Sequence, residues 1–161
     1  MVIRKAIPAD IPELKRLLLQ VGGVHHDIRP DIFRSGAQKY NDSQLTELLA
    51  DSKKPIWCAM EGDAMLGYCF CQWREQSGSS VCTDRTELYI DDLCVDEAHR
   101  GHGVASALYH YVTGIAREQG CNFITLNVWC GNGSAMAFYE KMGLKPRNIM
   151  MEMPLKEVPP C

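Results

Sequence analysis

Residues 87–119 read ELYIDDLCVDEAHRGHGVASALYHYVTGIAREQ, and this stretch decides the fold. Its first part, Leu88 to Val95, is apolar, β-branched and aromatic and predicts a buried strand. Its last part predicts a helix, because apolar residues recur there at helical spacing. These are Val104, Leu108, Val112, Ile115 and Ala116. Between strand and helix lies a polar turn, Asp96 to Gly103, with two glycines.

A strand, a glycine loop and a helix start, in this order, predict an anion site. The loop directs free backbone N–H groups and the positive end of the helix dipole to one spot, which suits a phosphate. Gly101 and Gly103 allow a phosphate oxygen to approach, and they can adopt the positive φ angles of an anion-binding nest. Arg100 and His102 can add side-chain contacts. An ordinary tight turn between strand and helix is the alternative for an isolated GxG.

Two common phosphate loops do not fit this sequence. A P-loop requires GxxxxGK[ST], which the chain lacks. The dinucleotide fingerprint GxGxxG requires a glycine or alanine at Ser106, and an acidic residue at the end of the next strand. That strand ends instead in Trp129 and Cys130. Both readings are therefore excluded.

A third pattern fits two separate segments. Residues 100–105, RGHGVA, match the [RQ]-x-x-G-x-[GA] signature of the GNAT superfamily of N-acetyltransferases. Residues 132–144, NGSAMAFYEKMGL, resemble the family's N-x-x-A-x-x-F-Y-x-K-x-G-F segment, with Leu144 in place of the usual Phe. One predicted strand separates the two, as in the family. The chain thus resembles GNAT enzymes from Val2 to Leu155 in element order, and most sharply from Leu88 onward.

The resemblance implies an α/β fold of the α+β kind, a mixed sheet flanked by helices. Its parallel fourth and fifth strands, here Leu88–Val95 and Phe123–Trp129, would splay apart and admit the pantetheine arm of acetyl-CoA. Asn132 can equally cap the following helix, and Lys141 can equally be a solvated residue. The implied cofactor-binding residues are Leu93, Cys94, Val95, Arg100, Gly101, His102, Gly103, Val104, Ala105, Ser106, Asn127, Asn132, Ala135, Tyr139 and Lys141.

The resemblance also implies catalytic roles. Tyr139 stands at the family's general-acid position, and its phenol is protonated at neutral pH; a structural aromatic residue at a helix end is the alternative. Asp91 or Glu87 would be the general base, or would order a water, although each can also be a solvated strand-end charge. Strand alternation places Glu87 and Asp91 on one face, and Asp92 on the other unless a bulge intervenes. A backbone N–H within 93–95 would stabilise the oxyanion.

Composition limits the class of protein. The chain has 161 residues, of which 46% are hydrophobic, and this predicts one globular domain. The resemblance implies that it is a single GNAT-type domain over 1–161. A net charge of −3 argues against nucleic acid as a partner. Without a long apolar run or a leader-like N-terminus, we expect no membrane partner and a cytoplasmic location. Eight cysteines without a CxxC pair predict reduced thiols and no metal site.

The remaining elements follow from local patterns. The irregular stretch 24–40 and the predicted last strand, Ile149–Met153, lie outside the two signatures. Predicted are a strand at Val2–Ala6, a helix capped by Asp10 and interrupted at Gly22-Gly23, a helix from Asp42 or Ser43 to Ala50, a hairpin of Ile56–Glu61 and Ala64–Arg74, a helix at Ser134–Met142 and a strand at Ile149–Met153.

These observations together predict an N-acetyltransferase. It would transfer the acetyl group of acetyl-CoA to a primary amine, above all a small-molecule amine, by direct attack through a tetrahedral intermediate. A protein or peptide N-acetyltransferase and a non-catalytic CoA-binding regulatory domain are the alternatives. Carboxylates near the acceptor suit a cationic amine, and the sequence goes no further on the acceptor. Homodimerisation is a further expectation, from the resemblance and the apolar C-terminal strand.

Overall fold

The computed structural model describes residues 1–155. It contains five strands and four α-helices, as the predicted α/β class requires. The strands are β1 (Val2–Lys5), β2 (Ile56–Glu61), β3 (Ala64–Gln76), β4 (Arg85–Val95) and β5 (Phe123–Leu126). The helices are α1 (Ile11–Ile28), α2 (Asp42–Ala50), α3 (Val104–Glu118) and α4 (Gly133–Lys141), with short 3-10 turns at Pro8–Asp10 and Glu97–His99.

The strands form one mixed sheet in the order β1-β2-β3-β4-β5. The first four are antiparallel to their neighbours, and β5 is parallel to β4. The parallel ladder extends only from Glu87 opposite Phe123 to Ile90 opposite Leu126. Because β4 continues to Val95, its last residues extend beyond the ladder with β5. The mixed sheet predicted from the sequence is confirmed, including the parallel pair.

The core lies on both faces of the sheet. On one face α1 and α2 bury leucines at helical spacing. On the other face α3 buries Val104, Leu108 and Val112, and α4 packs aromatic side chains against them. Each fully buried leucine contributes about 1.5–3 kcal/mol to stability. The α1 face includes Leu14, Leu17, Leu18, Leu45, Tyr68, Phe70 and Cys94. The α3 face includes Cys69, Cys71, Leu88, Ile90, Leu108 and Val112, with Leu93, Val95, Phe138 and Tyr139 packed against them.

Helix α1 does not stop at the glycine pair. It continues through Gly22 and Gly23 to Ile28, so the predicted interruption is wrong. A Cβ on Gly22 would lie 3.5 Å from the carbonyl oxygen of Ala37, in the segment after the helix. The small residue therefore allows that segment to pack closely against α1. Packing outweighs a local glycine cost of about 1 kcal/mol.

Four other predicted features differ in the structure. Residues 149–153 form no strand, and their apolar side chains are exposed; Met150, for example, is 92% exposed. Strand β5 ends at Leu126 and not at Trp129. Helix α2 is capped by Asn41, whose side chain accepts a hydrogen bond from the Gln44 amide (2.9 Å). The side chain of Asp10 makes no cap bond to α1, because it binds Arg4 and the Ile7 amide instead.

Two features bear on the predicted class of protein. The cysteines of the described part are all free thiols, and Cys161 lies outside the described residues. None of the described helices combines the length and the apolar character that crossing a membrane requires.

Candidate functional site

The glycine loop has the backbone conformation that the sequence predicts. Gly101 and Gly103 adopt φ angles of 79° and 81°, which are the left-handed values that an anion-binding nest requires. The first helical bond of α3 runs from the Ala107 amide to the Gly103 carbonyl (2.9 Å). The amides of residues 104–106 therefore precede the hydrogen-bonded part of α3, at its positive end. Val104 is buried and anchors the loop, while Arg100 and His102 are exposed.

The end of β4 supplies mainly backbone to this site. Cys94 is buried on the α1 face, and burial raises the pKa of its thiol to about 12, so it is not a nucleophile at neutral pH. The carbonyl of Val95 accepts a hydrogen bond from Gln20 of α1 (3.0 Å). Leu93 packs on the opposite, α3 face. The predicted strand segment 93–95 thus lies beyond the ladder with β5, with its side chains held by the two helical layers.

Residues near α4 are held by local bonds. Asn132 caps α4, because its Oδ1 accepts a hydrogen bond from the Ala135 amide (3.1 Å). The side chain of Asn127 donates to the hydroxyl of Tyr89 (3.1 Å), which supplies the polar partner that an amide beside a buried strand requires. Lys141 is exposed in the last turn of the helix.

Tyr139 lies on the α3 face, half-buried and in edge contact with Phe138 (ring centroids 5.0 Å apart). Burial raises the pKa of its phenol, and the negative charge of Asp92 acts in the same direction. The hydroxyl is therefore protonated throughout the neutral range, as a proton donor must be.

Glu87 is committed to two guanidinium groups. Its Oε1 lies 2.8 Å from Arg85 and 2.9 Å from Arg147, and its Oε2 accepts a hydrogen bond from Thr125 (3.2 Å). Burial acts to raise the pKa of this carboxyl, but these hydrogen bonds outweigh it and hold the pKa below its usual value. Glu87 is thus an ionised, charge-balanced group.

A β-bulge decides where the other two carboxylates point. Phe70 lies opposite Asp92 while Cys71 lies opposite Ile90, so Asp91 is the extra residue of β4. As a result Asp92 faces the α1 side, where the hydroxyl of Tyr68 donates a hydrogen bond to its Oδ2 (3.2 Å).

Asp92 is a buried carboxylate. Its side chain is 7% exposed, against 37% for Asp91. Burial raises its pKa above the usual value, although the positive charge of Lys39 opposes this. Lys39 lies 2.9 Å from Asp91 and 3.7 Å from Asp92. Neither Lys39 nor Tyr68 was identified as a site residue from the sequence, because no motif or spacing connects them to β4.

Aromatic residues surround the same side of the site. Phe33 lies between His25 (ring centroids 5.0 Å apart) and Trp129 (5.1 Å, edge contact), and Arg29 lies over the Trp129 ring at 5.9 Å. These contacts connect the end of α1 to the segment after β5. Within residues 1–155, no group of His, Cys, Asp and Glu is arranged to hold a metal ion.

The site thus has two halves. Tyr139 and the glycine loop lie on the α3 side of the sheet, and Asp91 and Asp92 lie at the bulge or on the α1 side. The ladder between β4 and β5 ends at Ile90 and Leu126, next to the bulge.

Comparisons of sequence find one family and several relatives. The model of the acetyltransferase (GNAT) family matches residues 24–144. Thialysine N-epsilon-acetyltransferase of Bos taurus is 23% identical over 134 residues, covering 83% of this chain and 72% of that protein. Human N-acetyltransferase 8B is 34% identical over 87 residues, covering 47% of this chain and 38% of that protein.

Comparisons of structure find the same architecture. A mutant of a Bacillus halodurans protein superposes with a TM-score of 0.93 and 29% identity, covering 97% of this chain and 100% of that one. An aminoglycoside N-acetyltransferase crystallised with CoA has a TM-score of 0.70 and 15% identity, covering 96% and 99%. At that identity the likeness is one of fold alone.

Proposed function

We propose that this chain, which belongs to the GNAT family of acetyltransferases, is an acetyl-CoA-dependent N-acetyltransferase that acts on a cationic primary amine. The observation that carries the proposal is the arrangement around the end of the β4–β5 ladder. A left-handed glycine loop and a protonated phenol lie on one side of the sheet, and a buried carboxylate lies on the other.

The chain fits coenzyme A at two places. The amides at the start of α3, following the positive φ angles of Gly101 and Gly103, suit a diphosphate. The backbone of β4 beyond Ile90 has no ladder partner in β5 and can hydrogen-bond an extended pantetheine arm. When bound, acetyl-CoA supplies an activated thioester. The amide of Leu93 is our candidate for the donor to its carbonyl oxygen, since it follows the bulge directly.

The proton transfers are assigned to side chains on the two faces. A carboxylate oxygen of Asp92 accepts a proton from the ammonium group of the acceptor, either directly or by way of Asp91. Loss of this proton frees the lone pair of the nitrogen. Tyr139 donates its phenolic proton to the departing sulfur. Glu87, the other candidate base, is held by Arg85 and Arg147. We propose that its role is structural and that it holds the segment around Arg147 against β4.

The acceptor class follows from charge. Two carboxylates and several aromatic rings surround the α1 side, a combination that binds an ammonium group. The relatives include a thialysine acetyltransferase, and the similar structures include aminoglycoside acetyltransferases. Both kinds of acceptor are cationic amines, and we therefore propose a small cationic amine for this chain also.

The test measures thiol release from acetyl-CoA with cadaverine, thialysine, sisomicin and a peptide with a free N-terminus. We expect turnover with a cationic small amine. We also expect calorimetry to detect CoA binding, and Gly103→Val to raise the KM for acetyl-CoA about tenfold or more, because a branched residue is strained at φ 81° and hinders the phosphate.

Gly78→Val is the matched control for this variant. Gly78 also has a positive φ (69°) and open space around its Cβ, but it lies in the loop between β3 and β4. It should change the KM for acetyl-CoA little. Turnover of the peptide alone would favour the protein-modifying alternative, CoA binding without turnover would favour a regulatory domain, and absence of CoA binding would refute the proposal.

A further inference from the structure

The two carboxylates assigned to the acceptor already bind a primary ammonium group, which belongs to the chain itself. Lys39 lies in the irregular segment between α1 and α2. Its Nζ is 2.9 Å from Oδ2 of Asp91 and 3.7 Å from Oδ2 of Asp92. This places the amine of Lys39 where an acceptor amine would have to lose its proton.

Electrostatics and an aromatic face hold the Lys39 ammonium. Burial acts to lower its pKa, but the charges of Asp92 and Asp91 outweigh this and raise the pKa above its usual value. The group is therefore a permanent cation at neutral pH. Its Nζ also lies over the ring of Tyr40 at 5.3 Å, and that ring stacks on Phe70 (6.1 Å). An acceptor ammonium would be recognised by the same chemistry.

A second cation at these carboxylates would have to compete with Lys39. Asp92 is 7% exposed, and besides Lys39 it receives the Tyr68 hydroxyl and faces His25. Burial lowers the pKa of His25, so this ring is not a second permanent cation. A second ammonium at the same oxygens would be repelled by the first, because like charges at contact distance repel strongly near a protein surface.

We propose that Lys39 is a built-in competitor of the acceptor: its ammonium occupies the acceptor's place on Asp91 and Asp92 and is displaced when the acceptor binds. This inference rests on the proposed function, because it concerns the regulation of the same site. It also assigns Lys39 a second role, which is to neutralise a buried carboxylate while no acceptor is present.

The structure allows this displacement. The Lys39 side chain is 40% exposed, and its closer partner, Asp91, is 37% exposed, so the ammonium can move into water with a modest loss. The backbone on either side is fixed, by a contact between His26 and the Phe33 carbonyl (2.7 Å) and by the Asn41 cap of α2. A rotation of the lysine side chain is therefore sufficient, and no helix needs to move.

The consequence is a weaker apparent affinity for the acceptor. Only molecules in which Lys39 has left can bind the acceptor ammonium, so the apparent dissociation constant is the intrinsic one divided by the fraction in that state. Removal of the competing charge should abolish this factor. The Kd for cations should then fall while the KM for acetyl-CoA stays the same, since Lys39 does not contact the glycine loop.

The experiment uses cadaverine, which has the alkyl ammonium of lysine and no anionic group. Calorimetry in the presence of CoA is compared for the wild type, Lys39→Met and the control Lys15→Met. Lys15 forms an ion pair with Asp42 between α1 and α2, away from the carboxylates. We expect Lys39→Met to bind cadaverine about tenfold more tightly, with the KM for cadaverine falling by the same factor where it is turned over, and Lys15→Met to match the wild type.

A second measurement uses the wild-type chain and does not depend on a variant that folds. Lysine labelling by an amine-reactive reagent is followed by mass spectrometry, with and without saturating cadaverine. Displacement should increase the labelling of Lys39 severalfold relative to that of Lys15, because free cadaverine consumes the reagent for both lysines alike. Weaker or unchanged cadaverine binding by folded Lys39→Met, or protection of Lys39 by cadaverine, would overturn the inference.

The two proposals can fail separately. If cadaverine displaces Lys39 but no amine supports thiol release, the competition stands and the proposed acetyltransferase activity fails. If amines are acetylated while Lys39 behaves as Lys15 does, the activity stands and the competition is wrong.

Discussion

Two carboxylates of one strand have opposite pKa shifts, and their neighbours explain why. Asp92 is buried beside a phenol and a single lysine, so burial dominates and raises its pKa. Glu87 is equally buried, but hydrogen bonds from Arg85, Arg147 and Thr125 outweigh burial. A raised pKa brings a carboxyl closer to the working pH of a general base, whereas a lowered pKa makes it a weaker base. The geometry therefore favours Asp92.

Asp92→Asn should lower kcat/KM by about 10²–10⁴, the usual contribution of general acid–base catalysis. In the wild type kcat/KM should rise with pH through the raised pKa of Asp92, because only the ionised carboxylate accepts a proton. The asparagine variant should lose this limb of the pH profile. Glu87→Gln should keep it and lose thermal stability instead. An unchanged acidic limb in Asp92→Asn would remove Asp92 from the mechanism.

Tyr139→Phe tests the other proton. Loss of the hydroxyl removes the proposed donor to the sulfur, so kcat should fall about a hundredfold or more. The KM for acetyl-CoA should change little, because the ring and its packing on Phe138 are retained. Tyr111→Phe is the control, since Tyr111 is partly exposed and contacts Trp57 on another part of the surface. Equal rates for the two variants would contradict the acid role.

At the scale of single elements, features that depend on local sequence were predictable, whereas contacts between distant segments were not. The glycine loop and the capping role of Asn132 were predictable, because each depends on a few consecutive residues. The sequence allowed for a bulge near Asp91 only as an exception to strand alternation, because a bulge depends on the pairing of β4 with β3. The approach of Lys39 to β4 has no local signal, because 52 residues separate it from Asp91.

One glycine of β3 packs against the end of β4 that we propose binds coenzyme A. A Cβ on Gly67 would lie 2.6 Å from the Cys94 carbonyl oxygen and 3.2 Å from the Val95 Cα, both backbone atoms. Gly67→Ala must therefore displace the end of β4, which should cost about 1–3 kcal/mol and raise the KM for acetyl-CoA. Gly114→Ala, in α3 with open space around its Cβ, should be neutral or stabilising. Thermal unfolding and steady-state kinetics measure both effects, and equal KM values would show that this contact does not position β4.

At the scale of the whole molecule, composition and element order predicted the class of fold but not its C-terminal end. The residues expected to form a last strand, 149–153, are apolar, and apolar alternation predicts a strand only where a neighbouring strand pairs with it. In the structure Glu152 instead contacts Arg29 at the end of α1 (2.6 Å), and its apolar neighbours are exposed. Homodimerisation, which the same segment suggested, stays a prediction that light scattering can test.

The stability of the molecule should depend on pH through its buried carboxylates. Hydrogen bonds from Arg4 lower the pKa of Asp10, which is 7% exposed, and a bond from the Ala98 amide, with Arg16, lowers that of Asp96. With Glu87, these groups contribute stability above their unfolded pKa of about 4, and it is lost as pH falls through the lower folded values. Asp92 has the opposite sign, because its folded pKa is raised.

The melting temperature should therefore fall below about pH 4, and Asp10→Asn should flatten this dependence. The asparagine cannot form a charge-assisted pair with Arg4, whose two nitrogens lie 2.7 and 2.9 Å from the carboxylate. The variant should lose about 1–3 kcal/mol at neutral pH and less at pH values where the wild-type carboxylate is protonated. Asp63→Asn, in the exposed turn between β2 and β3, is the control. An equal loss for Asp10→Asn at neutral and at acid pH would mean that shape, and not the charge of this pair, stabilises the junction of β1 and α1.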